Sequence, residues 1–227
     1  VATYADRAKR LRAIPRASLS GRDLTTYDTV LYSQEVGAEG GRFAYGKDFA
    51  NPYVVSQQDG TVGNTGEFLN SQHLIETRDD AEAYLARLEQ YDSALDQESD
   101  RIKGAAGQGV ILPDFLLATA LKTGVDLRAQ DAAATRLVTS LVQRTRAKGI
   151  DGDWQARATA IVAGQVFPAL ERQIAVLKSQ QPRATHDAGV WKFPDGADYY
   201  RWGLKYNTTT GSNIEMFGDE QDFNNGV

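Results

Sequence analysis

The chain contains no cysteine and only two histidines, His73 and His186. Without cysteine it cannot form a disulfide, a thiolate zinc site, an iron–sulfur cluster or a cysteine nucleophile. The histidines lie far apart and in no His-Glu-x-x-His (HExxH) pattern, in which one helical turn brings two imidazoles onto a zinc ion. The sequence therefore predicts no metal ligand set and no catalytic group within these 227 residues.

Long apolar runs and an excess of basic charge are also missing. We find no apolar run near the roughly 18 residues that span a bilayer, so we expect no integral membrane segment. The chain opens with Val-Ala-Thr-Tyr and shows no signal segment, so we expect a processed or truncated start. With 30 acidic and 25 basic residues the net charge is −5. This balance argues against nucleic acid as the partner, because phosphate binding needs a basic face.

Helical periodicity is what the sequence does contain. Apolar residues recur at steps of three and four, which places them on one face of a helix. The predicted helices cover residues 3–13, 20–36, 77–102, 113–121, 128–148, 154–180 and 194–206. Thr77 is a candidate N-cap of the strongest one, and Pro168 should kink or break the helix over 154–180. These segments predict a mainly α fold of packed antiparallel helices.

Between residues 37 and 72 the helical period is lost. This stretch holds seven glycines and predicts a long irregular loop, with an extended piece at 52–56 and at most a short hairpin. Loops of this length in compact domains are often functional. The aromatic residues of the stretch favour ordered packing over disorder; they are Phe43, Tyr45, Phe49, Tyr53 and Phe68.

The most unusual segment lies near the end of the chain. Residues 189–201 read Gly-Val-Trp-Lys-Phe-Pro-Asp-Gly-Ala-Asp-Tyr-Tyr-Arg, and residues 207–210 read Asn-Thr-Thr-Thr. This signature segment resembles a signature of the bacterial domain-of-unknown-function 885 family. Weaker similarities follow the same order at residues 4–15, 68–73, 79–88 and 109–113. The resemblance therefore covers about residues 4–210.

The resemblance implies a protein like the zinc metallopeptidases of the HExxH, or gluzincin, type. Members of the family are much longer than this chain, and their HExxH helix follows well after its end. Residues 1–210 would then be the N-terminal helical portion of such a hydrolase, inactive alone, and residues 211–227 a polar, irregular tail. Zinc is expected only in the missing C-terminal part. The resemblance further implies a periplasmic or extracellular protein and a peptide-like substrate.

Six residues of the signature segment are candidates for substrate contact: Tyr199, Tyr200, Arg201, Thr208, Thr209 and Thr210. A tyrosine hydroxyl can bind a carbonyl or an oxyanion, and an arginine can hold a carboxylate through two parallel hydrogen bonds. Adjacent helical residues point about 100° apart, so we expect only one tyrosine to face a given pocket. The threonines favour an edge strand that pairs with a peptide backbone. Two plainer interpretations stay open, a turn and helix start at 194–196 and a polar helix exit at 208–210.

A second hypothesis, from a different class, is a non-catalytic helical binding or scaffold module. Its partner surface would combine the amphipathic helix over 79–102 with the aromatic loop over 43–53. Both histidines have ordinary interpretations. We expect His73 to be a packing or capping residue. His186 is either an imidazole oriented by Asp187 or part of a surface turn.

Overall fold

A computed structural model describes residues 2–46 and 51–208. Within these ranges the chain forms ten α-helices and no β-strand, so the prediction of a mainly α fold is confirmed. The helices are α1 (Ala2–Arg12), α2 (Gly21–Glu39), α3 (Thr61–Glu67), α4 (Arg78–Glu89), α5 (Tyr91–Gly107), α6 (Asp114–Arg128), α7 (Arg136–Ala147), α8 (Trp154–Ile161), α9 (Phe167–Gln180) and α10 (Gly196–Thr208). Thr209, Thr210 and the predicted tail over 211–227 lie outside the described residues.

The chain divides into two compact units. The first unit combines Val1–Pro52 with Gly189–Val227, and its described part contains α1, α2 and α10. The second unit, Tyr53–Ala188, contains α3 to α9. The predicted boundary after residue 210 falls beyond the described residues and stays a prediction.

In the first unit, α2 packs against both α1 and α10. Surface ion pairs accompany the contact between α1 and α2. Arg12 Nη2 lies 2.6 Å from Glu35 Oε1, and Arg16 donates to both carboxylate oxygens of Asp28 at 2.7 Å each. Because these pairs are exposed to water, they add little to stability, and the packing of apolar side chains holds the helices together.

In the second unit, α4 begins with the cap that the sequence predicts. Thr77 Oγ1 accepts the Asp80 N–H, and the Asp80 carboxylate accepts the Thr77 N–H at 2.8 Å. The predicted helix over 77–102 is divided at Gln90 into α4 and α5, yet its apolar stripe is continuous and buried. The stripe comprises Ala81, Tyr84, Leu85, Leu88, Tyr91, Leu95 and Ile102. The apolar face of the helix that the binding-module hypothesis uses is therefore core in this unit.

The irregular stretch over 37–72 is shorter than predicted. Helix α2 continues to Glu39, α3 occupies Thr61–Glu67, and a π-helical turn follows over Phe68–Gln72. A tertiary contact explains why the glycine-containing α3 segment is helical. The first N–H of α3, at Thr61, donates to the Glu98 carboxylate of α5 at 3.0 Å. Local sequence does not contain that acceptor, and no strand forms over 52–56.

The predicted helix over 128–148 begins later, at Arg136. Before it, the Asp131 carboxylate accepts the Ala133 N–H at 2.8 Å and closes a 3₁₀ turn over Ala132–Ala134. Aspartate competes with helical hydrogen bonds in this way when its side chain reaches a backbone N–H two residues on. The turn lies between the end of α6 at Arg128 and the start of α7 at Arg136.

One long helical stretch runs from Trp154 to Arg183 and includes Pro168. A π-helical segment over Val162–Val166 lies just before this proline, which confirms the predicted irregularity. Proline provides no N–H for the preceding turn, and the backbone adjusts there. This stretch is long and apolar enough to cross a membrane, since its most apolar 18 residues have a mean hydropathy of 1.2. Core helices of other proteins can be equally long and apolar, and 44% of these 18 residues are buried here. The absence of an integral membrane segment therefore stays a prediction.

Candidate functional site

The signature segment forms a tight approach to α10. A 3₁₀ turn over Val190–Lys192 leads to Phe193, and the Tyr199 N–H donates to Asp195 O at 2.9 Å as the helix begins. Glycine is required at 196, because a Cβ built there would lie 1.9 Å from the Val190 carbonyl oxygen. The expectation of a turn and helix start at 194–196 therefore describes the backbone correctly.

An aromatic cluster holds α10 in the first unit. It consists of Phe43, Tyr45, Tyr199 and Trp202, packed with Val36. The Tyr199 ring centroid lies 5.1 Å from that of Phe43 and 5.6 Å from that of Trp202. These separations are typical of stabilising aromatic pairs. Of the five aromatic residues of the glycine-rich stretch, Phe43 and Tyr45 thus pack as predicted, against the signature segment. Phe49 lies outside the described residues, and Tyr53 and Phe68 belong to the second unit.

Trp202 joins α10 to the end of α2. Its indole N–H donates to the Val36 carbonyl oxygen at 2.8 Å. Its ring also lies so close to Gly40 that a Cβ there would be 2.2 Å from Trp202 Cζ2. The absence of a side chain at residue 40 is therefore what allows the indole to reach the carbonyl.

Tyr45 joins the cluster to the start of α10 through one polar contact. Its hydroxyl donates to Asp195 Oδ1 at 2.7 Å. Burial raises the pKa of Tyr45 well above its usual value, and the hydrogen bond to the Asp195 carboxylate raises this pKa further. The phenol therefore remains a neutral donor throughout the physiological pH range.

Two predicted site residues lie on the outer surface of α10. The Tyr200 side chain is 37% exposed, and the Arg201 side chain is 60% exposed. Arg201 Nη1 donates to Asp198 Oδ1 at 2.6 Å, and Arg42 Nη2 lies 3.7 Å from Asp198 Oδ2. Asp198 thereby orients the Arg201 guanidinium while leaving most of it in contact with water.

The structure separates the two adjacent tyrosines as the helical geometry requires. Tyr199 is 2% exposed and belongs to the aromatic cluster, whereas Tyr200 lies at the surface. Thr208 is the last residue of α10, and its hydroxyl donates to the Leu204 carbonyl oxygen at 2.6 Å. Thr208 is thus helical. Thr209 and Thr210 are not among the described residues.

Neither histidine belongs to the signature segment, and both lie in the second unit. His73 is buried, with Nε2 2.9 Å from Asp80 O and Nδ1 3.1 Å from Arg87 Nη1. It is therefore the packing residue that the sequence predicts. His186 Nδ1 lies 2.9 Å from Asp114 Oδ1. This carboxylate is 72 positions away in sequence, whereas the sequence suggested the adjacent Asp187 as the group that orients the imidazole. Among the described residues, no group of three or more His, Asp or Glu side chains is arranged to hold a metal ion.

Sequence reasoning missed Tyr45, Asp195 and Trp202 as the residues that position the site. The sequence predicts only packing for Tyr45, and only a turn and helix start for the segment that contains Asp195. The contact between them joins residues 150 positions apart, so no local pattern contains it. The available signal was composition, since aromatic residues are concentrated both in the glycine-rich stretch and in the signature segment.

Comparisons with known proteins agree with this architecture. The model of a family described as "Bacterial protein of unknown function (DUF885)" matches residues 1–216. No curated protein matches the chain. The solved structure of "the putative lipoprotein from Colwellia psychrerythraea" is similar, with a TM-score of 0.78 and 19% identity over 97% of this chain. The chain spans only 40% of that protein, and at this identity the similarity shows the fold alone.

Proposed function

Because the chain belongs to the bacterial DUF885 family, whose function is unknown, we propose that it is the N-terminal helical part of a zinc-dependent, peptidase-like hydrolase. In this proposal the chain supplies part of the wall of a substrate cleft and no catalytic group. The zinc ion and its HExxH ligands belong to the part of the protein that follows this chain. The substrate is a peptide-like molecule, and the chain alone is inactive.

The observation that supports the proposal most strongly is the construction of α10. Tyr199 and Trp202 anchor one side of the helix in the aromatic cluster, and Tyr200 and Arg201 remain at its surface. A phenol and a guanidinium on a rigid element suit recognition of a peptide carbonyl or carboxylate. Thr208 is the last described residue of the same helix, and Thr209 and Thr210 stay candidates for pairing with a substrate backbone.

The solved structure with a similar fold supports the rest of the proposal. This chain aligns with 40% of that protein, so the shared fold occurs there within a much longer polypeptide. We place the zinc-binding helix of the present protein in such an additional part. The name of that protein describes a lipoprotein, which favours a periplasmic or extracellular location here as well.

The first experiment compares the 227-residue chain with the product of its complete reading frame. We expect no hydrolase activity and no stoichiometric zinc in the chain alone, measured with peptide substrates and by metal analysis. We expect the frame to continue into an HExxH sequence, and its product to hold about one zinc ion per polypeptide. One tightly held zinc ion in the 227-residue chain, or a frame that ends near Val227, would refute the proposal.

The second experiment tests the site residues in the complete protein. Substituting Arg201→Gln removes the guanidinium, so KM for a substrate that carries a carboxylate should rise about tenfold or more. The matched control is Arg128→Gln, which removes another exposed arginine with one carboxylate partner, Glu171. Equal KM values for the two variants would remove Arg201 from the substrate site.

A further inference from the structure

The second unit contains a small cavity of about 80 Å³ between α3, α5, α6 and α9. The loop over 55–60 covers one side of it. Ser56 makes this loop compact, because its Oγ accepts the N–H groups of Gln58 and Asp59, each at 3.1 Å. The cavity is much smaller than the roughly 300 Å³ of a typical drug-sized ligand site. It has room for a few waters or one small molecule.

Two buried polar side chains face the cavity. Glu98 is 1% exposed and Gln173 is 3% exposed, and Gln173 Nε2 donates to Glu98 Oε2 at 2.9 Å. The Thr61 N–H donates to both Glu98 oxygens at 3.0 Å. These donors are neutral. The ion-pair contact of Glu98 is with Arg101, whose Nη2 is 3.9 Å away and whose side chain is 57% exposed.

The chemistry of the lining favours a cation. A second carboxylate, Asp59, also lines the cavity, and no Lys, Arg or His does so among the described residues. Glu98 accepts hydrogen bonds from neutral donors, and its charged contact is with the exposed Arg101, so a cation in the cavity would supply a buried counter-charge. The lining also contains polar residues, and four apolar residues provide the surface that a short alkyl chain would contact: Val55, Val62, Ala120 and Leu177.

We propose that this cavity binds a short primary alkylammonium ion, with the ammonium group against Glu98 and the alkyl chain against the apolar lining. The positive head adds a counter-charge to the hydrogen bonds that Glu98 already accepts. The volume admits a few carbon atoms and rejects aromatic amines and nucleotides. The proposal rests on the second unit alone and does not depend on the proposed hydrolase function.

The test titrates the full chain with propylammonium chloride at constant ionic strength and follows ¹H–¹⁵N NMR signals. We expect saturable shifts of the Thr61 backbone amide and the Gln173 side-chain amide, which both contact Glu98. Propan-1-ol, which has the same shape without the charge, should bind at least tenfold more weakly. No saturable shift of either amide, or an equal response to the alcohol, would overturn the proposal.

Two variants assign the binding to this cavity. Glu98→Gln removes the charge and should weaken propylammonium binding at least tenfold, whereas Asp100→Asn, an exposed carboxylate on the same helix, should leave it unchanged. If Glu98→Gln does not fold, Ala120→Leu is the variant that tests the site. Ala120 is a partly exposed residue of α6 that lines the cavity, so a leucine there fills the cavity and leaves the Glu98 carboxylate in place. Binding that persists unweakened in the folded cavity variant would refute the assignment.

Discussion

The core beside α10 and the core between α5 and α9 hold helices together by different physical means. In the first unit, aromatic rings pack against one another and against Gly40, and polar groups serve mainly at the edges of the rings. In the second unit, aliphatic side chains surround a buried carboxylate that accepts hydrogen bonds from α3 and α9. The first core depends on shape, since rings of fixed outline fill it. The second depends on complete hydrogen bonding, since a buried charge without donors is costly.

The largest expected effect comes from removing the central ring of the aromatic cluster. Trp202→Ala should lower the free energy of unfolding of the first unit by roughly 3–5 kcal/mol, because it leaves a large cavity. Trp191→Ala is the matched control. Trp191 is 69% exposed, so its loss should change stability by about 0.5 kcal/mol or less. Denaturant titration measures both, and similar losses for the two variants would contradict an aromatic core at Trp202.

The corresponding test in the second unit removes one donor to Glu98. Gln173→Met keeps the length of the side chain but takes away the N–H that Glu98 Oε2 accepts. A hydrogen bond to a charged group contributes about 1.5–3 kcal/mol, and we expect a loss of this size. Gln97→Met, at an exposed position of α5, should be nearly neutral. If the two variants unfold at the same urea concentration, the Gln173 contact does not stabilise the buried carboxylate.

A smaller change tests whether shape controls the first core. Gly40→Ala adds one Cβ at 2.2 Å from the Trp202 ring, which should cost about 1–3 kcal/mol by overpacking. Gly104→Ala, in α5 with open space around the new methyl group, should instead stabilise by about 0.5–1 kcal/mol. The Gly40 penalty should disappear when Trp202 is already alanine. A penalty that persists in that double variant would have another cause.

The smallest effect concerns the polar edge of the cluster. Tyr45→Phe removes the donor to Asp195, which is exposed and can bind water instead, so we expect a loss of about 1 kcal/mol at neutral pH. The pKa of Tyr45 is raised by folding, so its stabilisation is complete below the unfolded value near 10. It is lost as the pH rises above that value, because only the unfolded state then releases the proton. The phenylalanine variant should therefore lose less stability between about pH 10 and 11.5, measured by urea unfolding.

Sequence reasoning succeeded where the information is local. The stripe from Ala81 to Ile102 is buried as its period predicts, Thr77 caps α4, and the backbone departs from α-helical geometry just before Pro168. The angle of about 100° between adjacent helical residues predicted that Tyr199 and Tyr200 point in different directions, and one is buried while the other is exposed. Sequence reasoning failed where contacts between residues distant in sequence determine the local structure. Helix α3 forms in a glycine-containing stretch with its first N–H bound by Glu98, 37 residues away.

The sequence by itself determined the mainly α class, the principal helices and the position of the signature segment. The class and the helices depend on apolar periodicity, proline and capping residues, which act over a few positions, and the signature segment was identified by its resemblance to a known family. Only the tertiary structure decided that Tyr199 is core and that Arg201 lies at an exposed surface. It also decided that Tyr45 reaches Asp195 and that Gln173 reaches Glu98, across 150 and 75 positions. Such contacts depend on how whole helices pack, and helical periodicity does not specify which buried faces meet.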